Sequence, residues 1–501
     1  MNTTEPSTLP GPTAWRAARG ARRWRAAAPL LVGAAVALVP APAGLSLPAW
    51  YYFAVFAAVI VGLIMEPVPA AAIGLIGVTF AAVTGLPFSA AQLADPAFRL
   101  PSEALKWALA GFVNSTVWLI FGAFMFAMGY EKTGLGRRIA LVLVRSLGAR
   151  TLGLGYAIAL ADVLLAPFTP SNSARSAGTI YPVVRSIPGL YGSQPGPTAR
   201  RMGAYLMWVA FAVTCVTSSM FVTALAPNLL ALEMVRQATG IEITWAQWCL
   251  GFLPVGVGLV LVLPWLIFKV YPPEIRTSAD VPGWASEELA RLGPIAPKEL
   301  IMAALVILAL GLWIFGGGLI DPALVALAGI CLMLACGLVA WDDILGNRPA
   351  WNMLTWFATL VVLADGLNKV GIVGWFAQVG AASLGGAPPV VVMVVLVSLF
   401  FVIHYMFASL TAHATAVLPV MLGAGVAVPG MPVASFALLL VYSLGLMGVI
   451  TPYATGPAPV YFGSGYLSRR DFWRLGLTFG LIYLATLLLV GVPYLRLIGF
   501  S

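Results

Sequence analysis

Two short polar runs interrupt long apolar stretches and hold most of the chain's candidate chemistry. The first is Pro170-Ser171-Asn172-Ser173-Ala174-Arg175, and the second is Ser409-Leu410-Thr411-Ala412-His413. Ser and Asn are natural residues for opening a helix, because their side chains take a backbone N–H of the first turn. A helix that starts in mid-membrane points free N–H groups and the positive end of its dipole into whatever cavity lies before it. That arrangement suits a carboxylate. Two such starts, approaching from opposite faces, would grip the two ends of a short dianion. Ser171, Asn172 and Ser173 would hold one carboxylate, and Ser409 and Thr411 the other. Ser and Thr also stabilise ordinary helix packing in membranes, but that role does not account for the breaks.

Arg175 stands out because an arginine at that depth costs at least about 2.5–3.5 kcal/mol unless it is paired or wet. His413 follows Ser409 at the same spacing at which Arg175 follows Ser171. Both residues are candidates for standing positive charge beside the dianion, the task a bound sodium performs in a coupled transporter. A second reading pairs Arg175 with Asp162 as a lock on the hairpin, and the two readings are compatible. Further along, Pro227 and Pro459 are expected to break two spans and free carbonyls. Ser218, Thr223, Thr455 and Gly456 lie near those breaks as wall residues of the same site. His404 reads as a polar packing residue, Asp365 as a partner for Lys369, and Asp342 and Asp343 as solvated.

Around these residues the chain is a membrane protein. Of 501 residues, 61% are hydrophobic and 9% charged, against about 25% charged in an ordinary soluble domain. The expected fold class is an all-α polytopic membrane protein with about 11 transmembrane helices and two re-entrant hairpins. Apolar spans are expected near 28–46, 48–64, 67–87, 113–130, 203–226, 248–270, 299–318, 322–341, 350–367, 432–462 and 474–494. The stretches 152–186 and 389–425 are each too long for one span and too short for two, and each is polar at its middle. Irregular backbone at that depth survives only where it lines a cavity or is buried in protein, so both are read as re-entrant. Segments 88–112 and 137–150 are amphipathic and are laid along the outer and inner interfaces. With the N-terminus inside, 21 of the 27 Lys and Arg fall inside, 5 outside, and Arg175 within a hairpin. That asymmetry places the N-terminus in the cytoplasm and the C-terminus outside, in the plasma (inner) membrane.

The halves repeat. Ser171 to Ser409 and Arg175 to His413 share an offset of 238, as do Trp118 and Trp356, which open similar stretches. TALAPN at 223–228 and TGPAPV at 455–460 match further on. The two copies begin an odd number of spans apart, so they have opposite orientation. Inverted repeats with paired broken helices are a signature of secondary transporters. The expected organisation is a tail at 1–27, scaffold spans and an interfacial helix at 28–112, and a first repeat core at 113–247. Connecting spans at 248–349 belong to the scaffold. A second core at 350–473 and a last span at 474–501 complete it.

Other functions find less support. The two histidines and four cysteines form no HExxH or CxxC pattern, so neither metal nor cofactor is expected, and the cysteines read as small buried hydrophobes. No pairing of nucleophile and base suggests an enzyme, and no basic run interleaved with aromatics suggests nucleic acid. A passive anion channel suits a two-ended grip less well than alternating access does.

The motifs PSNSARSAGTIYPVV, SLTAHATAVLPVM and TPYATGPAPVYFGSGY resemble the divalent anion/sodium symporter family from about Trp118 to Trp473. Within it they are most similar to the exchangers, the citrate/succinate and tartrate/succinate antiporters and the plastid 2-oxoglutarate/malate translocator. Sodium-coupled members carry Ser-Asn-Thr at both tips. Here the first tip reads Ser171-Asn172-Ser173 and the second Ser409-Leu410-Thr411, and Ala458 stands where sodium-coupled members tend to have Asn. The resemblance implies a homodimer with a fixed scaffold and an elevator-like transport domain. Its expected substrates are di- or tricarboxylates such as succinate, malate or 2-oxoglutarate, exchanged without sodium. The alternative is a sodium-coupled dicarboxylate symporter.

Overall fold

The computed structural model describes residues 12–384, 386 and 388–500, so residues 1–11 of the expected tail lie outside the described residues. The described chain is an all-α polytopic membrane protein. Eight of its helices are long and apolar enough to cross a membrane, or nine if the bent pair Leu100–Val113 and Ser115–Thr133 counts as one span. Six of the eight coincide with expected spans, and two, Thr151–Phe168 and Pro389–Met406, are the entry arms of the hairpins. Four more expected spans appear as shorter apolar helices: Trp24–Leu38, Ala70–Thr84, Pro322–Ala335 and Val433–Val449. The first of these belongs to a helix running Pro12–Leu38, which begins well before the expected 28 and stops short of 46. Pro40, Pro42 and Gly44 follow it, and proline withdraws the donor that a continuing helix needs.

The same elements recur in each half. Helix Ser115–Thr133 is followed by the amphipathic helix Leu135–Leu147, a hairpin and a broken span. Helix Arg348–Lys369 is followed by helix Ile372–Leu384, a hairpin and a broken span. The second of these helices carries none of the arginines that mark the first.

The two broken spans form the centre. Every residue of Gly203–Met220 is buried, as is every residue of Ala434–Leu446. By contrast, only 28% of Pro297–Phe315 is buried, so that helix belongs to the periphery. Where the two broken spans cross, small residues let the backbones meet. A Cβ on Gly445 would strike Cys215 O and the Ser219 backbone at 2.8 Å. Cys215 is buried there, whereas Cys331 and Cys336 are exposed, which corrects the expectation of four buried thiols.

The breaks precede the prolines. Extended backbone at Phe221 and Leu225 separates Gly203–Met220 from Ala226–Thr239, and Pro227 sits in the first turn of the second piece. Pro459 likewise starts helix Ala458–Gly463. A proline in the first turn costs no hydrogen bond, because that N–H is unpaired anyway. These prolines therefore start half-helices and do not break spans.

Candidate functional site

At the first tip the chain leaves helix Thr151–Leu165, passes Pro170 and winds again from Ser173. Ser171 opens the return arm: its Oγ accepts from Ala174 N at 3.2 Å and its carbonyl from Arg175 N at 3.0 Å. The arm continues as a π-helix over Ser173–Ile180 and an α-helix over Tyr181–Ser186. Asn172 is buried and its Nδ2 donates to Thr455 Oγ1 at 2.8 Å, tying the first tip to the second broken span. Beside it, Gly456 lies so close to Ser173 that a Cβ there would collide with Ser173 Oγ.

Ser171, Ser173, Ala174, Gly178 and Thr179 line a cavity of about 1250 Å³. Its mouth carries Glu131, Arg137, Trp284, Glu288, Asp342, Asp343 and Asn347. Arg137 pairs with Glu288 at 2.9 Å, and Lys132 pairs with Asp343. Asp343 is therefore not merely solvated. The bond from Lys132, and then the one from Ala340 N, hold its carboxyl below the usual carboxylate range.

Behind the first tip lies Arg175. Its guanidinium is buried and every nitrogen is engaged. Nε donates to Asp162 Oδ1 at 3.3 Å, and Nη1 to Thr169 O at 3.0 Å and Ala224 O at 2.9 Å. Nη2 donates to Thr217 Oγ1 and Ser218 Oγ, each at 3.2 Å. Thr217 also donates to the other oxygen of Asp162. The fork geometry of arginine satisfies all these acceptors at once. Arg175 is thus locked to Asp162 and lies away from the cavity surface. Ser218 and Thr223 belong to the same buried layer. Ser218 Oγ donates to Thr214 O at 2.6 Å, and Thr223 Oγ1 donates to Pro167 O at 2.5 Å while accepting from Trp245 Nε1 at 3.1 Å.

Carbonyls freed by the first break are also covered. Asn228 Nδ2 reaches Ser218 O at 2.7 Å and Trp248 Nε1 reaches Ser219 O at 2.9 Å. Neither is a site residue expected from the sequence, although an Asn directly after the proline that starts a half-helix is a readable signal.

The second tip repeats the local geometry with different partners. Ser409 Oγ accepts from Ala412 N at 3.3 Å and its carbonyl from His413 N at 3.0 Å, opening helix Leu410–Val426. Thr411 is half-buried, and its carbonyl accepts from Thr415 Oγ1 at 2.7 Å. Buried His413 sits in a box of rings: Phe400 at 4.4 Å, His404 at 5.0 Å and Phe407 at 5.0 Å between centroids. Neither of its ring nitrogens has a hydrogen-bond partner. His404 is also buried, but its Nε2 bonds Ala454 O at 2.8 Å.

The two return arms meet opposite ends of helix Arg348–Lys369. Helix Arg348–Lys369 begins beside Asn347 and Pro349, which line the first-hairpin cavity. It ends beside Leu367 and Asn368, which line a small cleft with Gln237 and Pro419 of the second return arm. Twenty-two residues separate those ends by about 33 Å at 1.5 Å per residue. Lys369 pairs with Asp365 there at 3.1 Å, as the spacing suggested. Among the described residues no group of three His, Cys, Asp or Glu could hold a metal ion.

Comparison with known proteins agrees with this architecture. The family model described as the sodium:sulfate symporter transmembrane region matches residues 20–500. The L-tartrate/succinate antiporters of Shigella sonnei (strain Ss046) and Escherichia coli (strain K12) are each 48% identical to the chain over 478 residues. That alignment covers 95% of this chain and 98% of theirs. The Alcanivorax borkumensis YdaH transporter has a similar structure, with a TM-score of 0.54 at 18% identity over 85% of this chain and 98% of that one. The Neisseria gonorrhoeae MtrF structure follows at 0.52 and 14% identity, over 84% and 93%. Identities that low carry the fold alone.

Proposed function

The chain belongs to the divalent anion/sodium symporter family, in its exchanger branch, and from that premise we propose that it is a sodium-independent antiporter of di- or tricarboxylates. It is a multi-pass membrane protein of a transporter family, and its chemistry is binding and movement of small anions. The relatives named for L-tartrate and succinate favour four-carbon diacids, with malate and 2-oxoglutarate as near neighbours in shape.

The observation that carries the reading is the first tip. Ser171 and Ser173 open a half-helix onto the cavity, so the hydroxyls and the positive end of that half-helix lie on the side from which an anion would arrive. Ser409 and Thr411 open the opposing half-helix for the second carboxylate. Asn172, Thr455 and Gly456 hold the first tip in register. Arg175 and His413 stand behind the two tips. Because Arg175 is already bonded to Asp162, the pair contributes oriented dipoles and not a free charge. Ser218 supports that pair from behind, and Thr223 braces the neighbouring break against Pro167 O.

In this reading the cavity opens to the cytoplasm, because Arg137 lines it and Lys132 pairs with its Asp343, and the positive-inside asymmetry places both there. Alternating access then closes this mouth and opens the second hairpin's face. An elevator-like stroke of hairpins and broken spans against the peripheral helices, within a homodimer, fits the buried centre and the exposed rim. The cavity is far larger than a four-carbon acid, so it serves as a vestibule whose inner end is the binding tip.

Labelled succinate uptake into proteoliposomes tests the function. Vesicles are loaded with unlabelled dicarboxylate or left empty, each with sodium or choline outside. Uptake that requires internal dicarboxylate and ignores sodium is expected. Sodium-dependent uptake into empty vesicles would make the protein a symporter and overturn the proposal.

A further inference from the structure

Three consecutive residues of the second broken span touch both hairpins. Ala454 O takes His404 Nε2 at 2.8 Å. Thr455 Oγ1 takes Asn172 Nδ2 at 2.8 Å. Gly456 abuts Ser173 Oγ. On the second-hairpin side, the His404 ring lies edge-on to the His413 ring at 5.0 Å. His413 in turn stands one helical turn after Ser409, whose carbonyl accepts its N–H. The return arm that presents Ser409 and Thr411 is therefore referenced, through His404, to the same stretch of backbone that fixes Asn172 and Ser173.

Resting on the dicarboxylate reading of this site, we infer that His404 is a positioning residue that sets substrate length. Through Ala454 and Thr455 it fixes the distance between the two tips, and so selects which diacid chain lengths are exchanged. The bond is specific to this half. At the equivalent place in the first hairpin stands Ala166, and that hairpin hooks its own broken span through Arg175 to Ala224 O instead. His404 Nδ1 has no partner, so Ala454 O is the one hydrogen-bond tie of its ring. A tie of that kind holds two rigid bodies at a defined separation. In a fitted site one methylene more or less changes transition-state binding by about 10–200-fold, so a loosened separation reads out as a change in length preference.

The test is counterflow in proteoliposomes loaded with succinate, with labelled succinate uptake inhibited by malonate, succinate, glutarate or adipate. These straight diacids differ only in methylene number. The proteins compared are the wild type, His404→Ala, His404→Gln, Thr455→Val and Thr455→Ser. The wild type is expected to show one strongly preferred length. In His404→Ala and Thr455→Val the ratio between the best and the next acid falls by about tenfold or more, since that ratio is what the tie enforces. His404→Gln keeps a donor for the carbonyl and Thr455→Ser keeps the hydroxyl, so both retain most of the preference. If all four inhibition constants move by one common factor, or only the maximal rate falls, His404 is a structural residue and the inference is overturned. Should His404→Ala fail to fold, Thr455→Val and His404→Gln decide the question alone. A wild type inert to all four acids would instead overturn the dicarboxylate reading beneath it.

Discussion

The two hairpins share a backbone plan and differ in what holds them. In each, a serine caps the return arm, and a basic-capable residue follows one turn later. In each, that residue meets a partner thirteen positions back on the entry arm: Asp162 for Arg175, Phe400 for His413. In the first hairpin the contact is an ion pair whose remaining donors bind carbonyls and hydroxyls from the tip and the neighbouring broken span. In the second it is a box of rings around an imidazole with no hydrogen bond. Asn172 adds a cross-tie at the first tip, and its counterpart Leu410 cannot. The repeat has kept the geometry of the two helix starts and replaced the chemistry behind it. Several directional bonds hold the first tip in one place, whereas ring contacts and a single bond, His404 Nε2 to Ala454 O, hold the second.

Exchanging the chemistry behind the tips is expected to produce the largest effects. Arg175→Ala leaves Asp162 buried and unpaired, which costs about 3–5 kcal/mol. His413→Ala removes ring contacts worth about 0.5–1.5 kcal/mol beyond their buried area and opens a void. His413→Arg buries an unpaired charge and should unfold the second hairpin, and Phe400→Asp added to it should restore much of the loss by recreating the first hairpin's pair. Thermal unfolding in detergent reads all four variants. An Arg175→Ala protein no less stable than His413→Ala would break the contrast between bonded and shape-held hairpins.

Next comes the contact between the first tip and the second broken span. Gly456→Ala places a methyl against Ser173 Oγ. The serine hydroxyl must swing away, and overpacking of this kind costs about 1–3 kcal/mol. Because Ser173 lines the cavity, the cost should fall on substrate. About a tenfold or greater rise in the apparent KM for succinate is expected, since 1.4 kcal/mol is tenfold in affinity. An unchanged KM would show that the first tip is not held to ligand-binding tolerance by Gly456.

Much of this contrast was legible in the sequence. The polar tips, the common offset of 238 and the depth of Arg175 can be read from spacing alone. The pairing of Arg175 with Asp162 was readable as one of two alternatives, because a buried arginine demands a partner. What could not be read was which way side chains turn. Ser218 and Thr223 sit near the breaks in sequence, but Ser218 faces the ion pair and Thr223 turns to Pro167 O and Trp245, and a proline within a span says nothing of whether it ends one helix or starts the next. No charge marks helix Ile372–Leu384 in the sequence, so it does not stand out from the apolar stretches around it. The ring box escaped notice because Phe400 and Phe407 look like any other apolar residue until the chain folds back.

The smallest expected effect is the one that isolates the tips from their surroundings. Ser171→Ala and Ser409→Ala each delete one cap hydrogen bond of nearly equal length, 3.2 and 3.3 Å. Each should lower stability by about 1 kcal/mol, the usual value of a helix cap, and the two losses should match. Transport offers a further comparison. If each hydroxyl also meets a carboxylate, both variants should raise the KM for succinate together, since a dianion gripped at both ends loses one contact either way. Equal stability loss with a KM effect at Ser171 alone would mean that only the first tip touches substrate, and that the second hairpin acts purely as a cover.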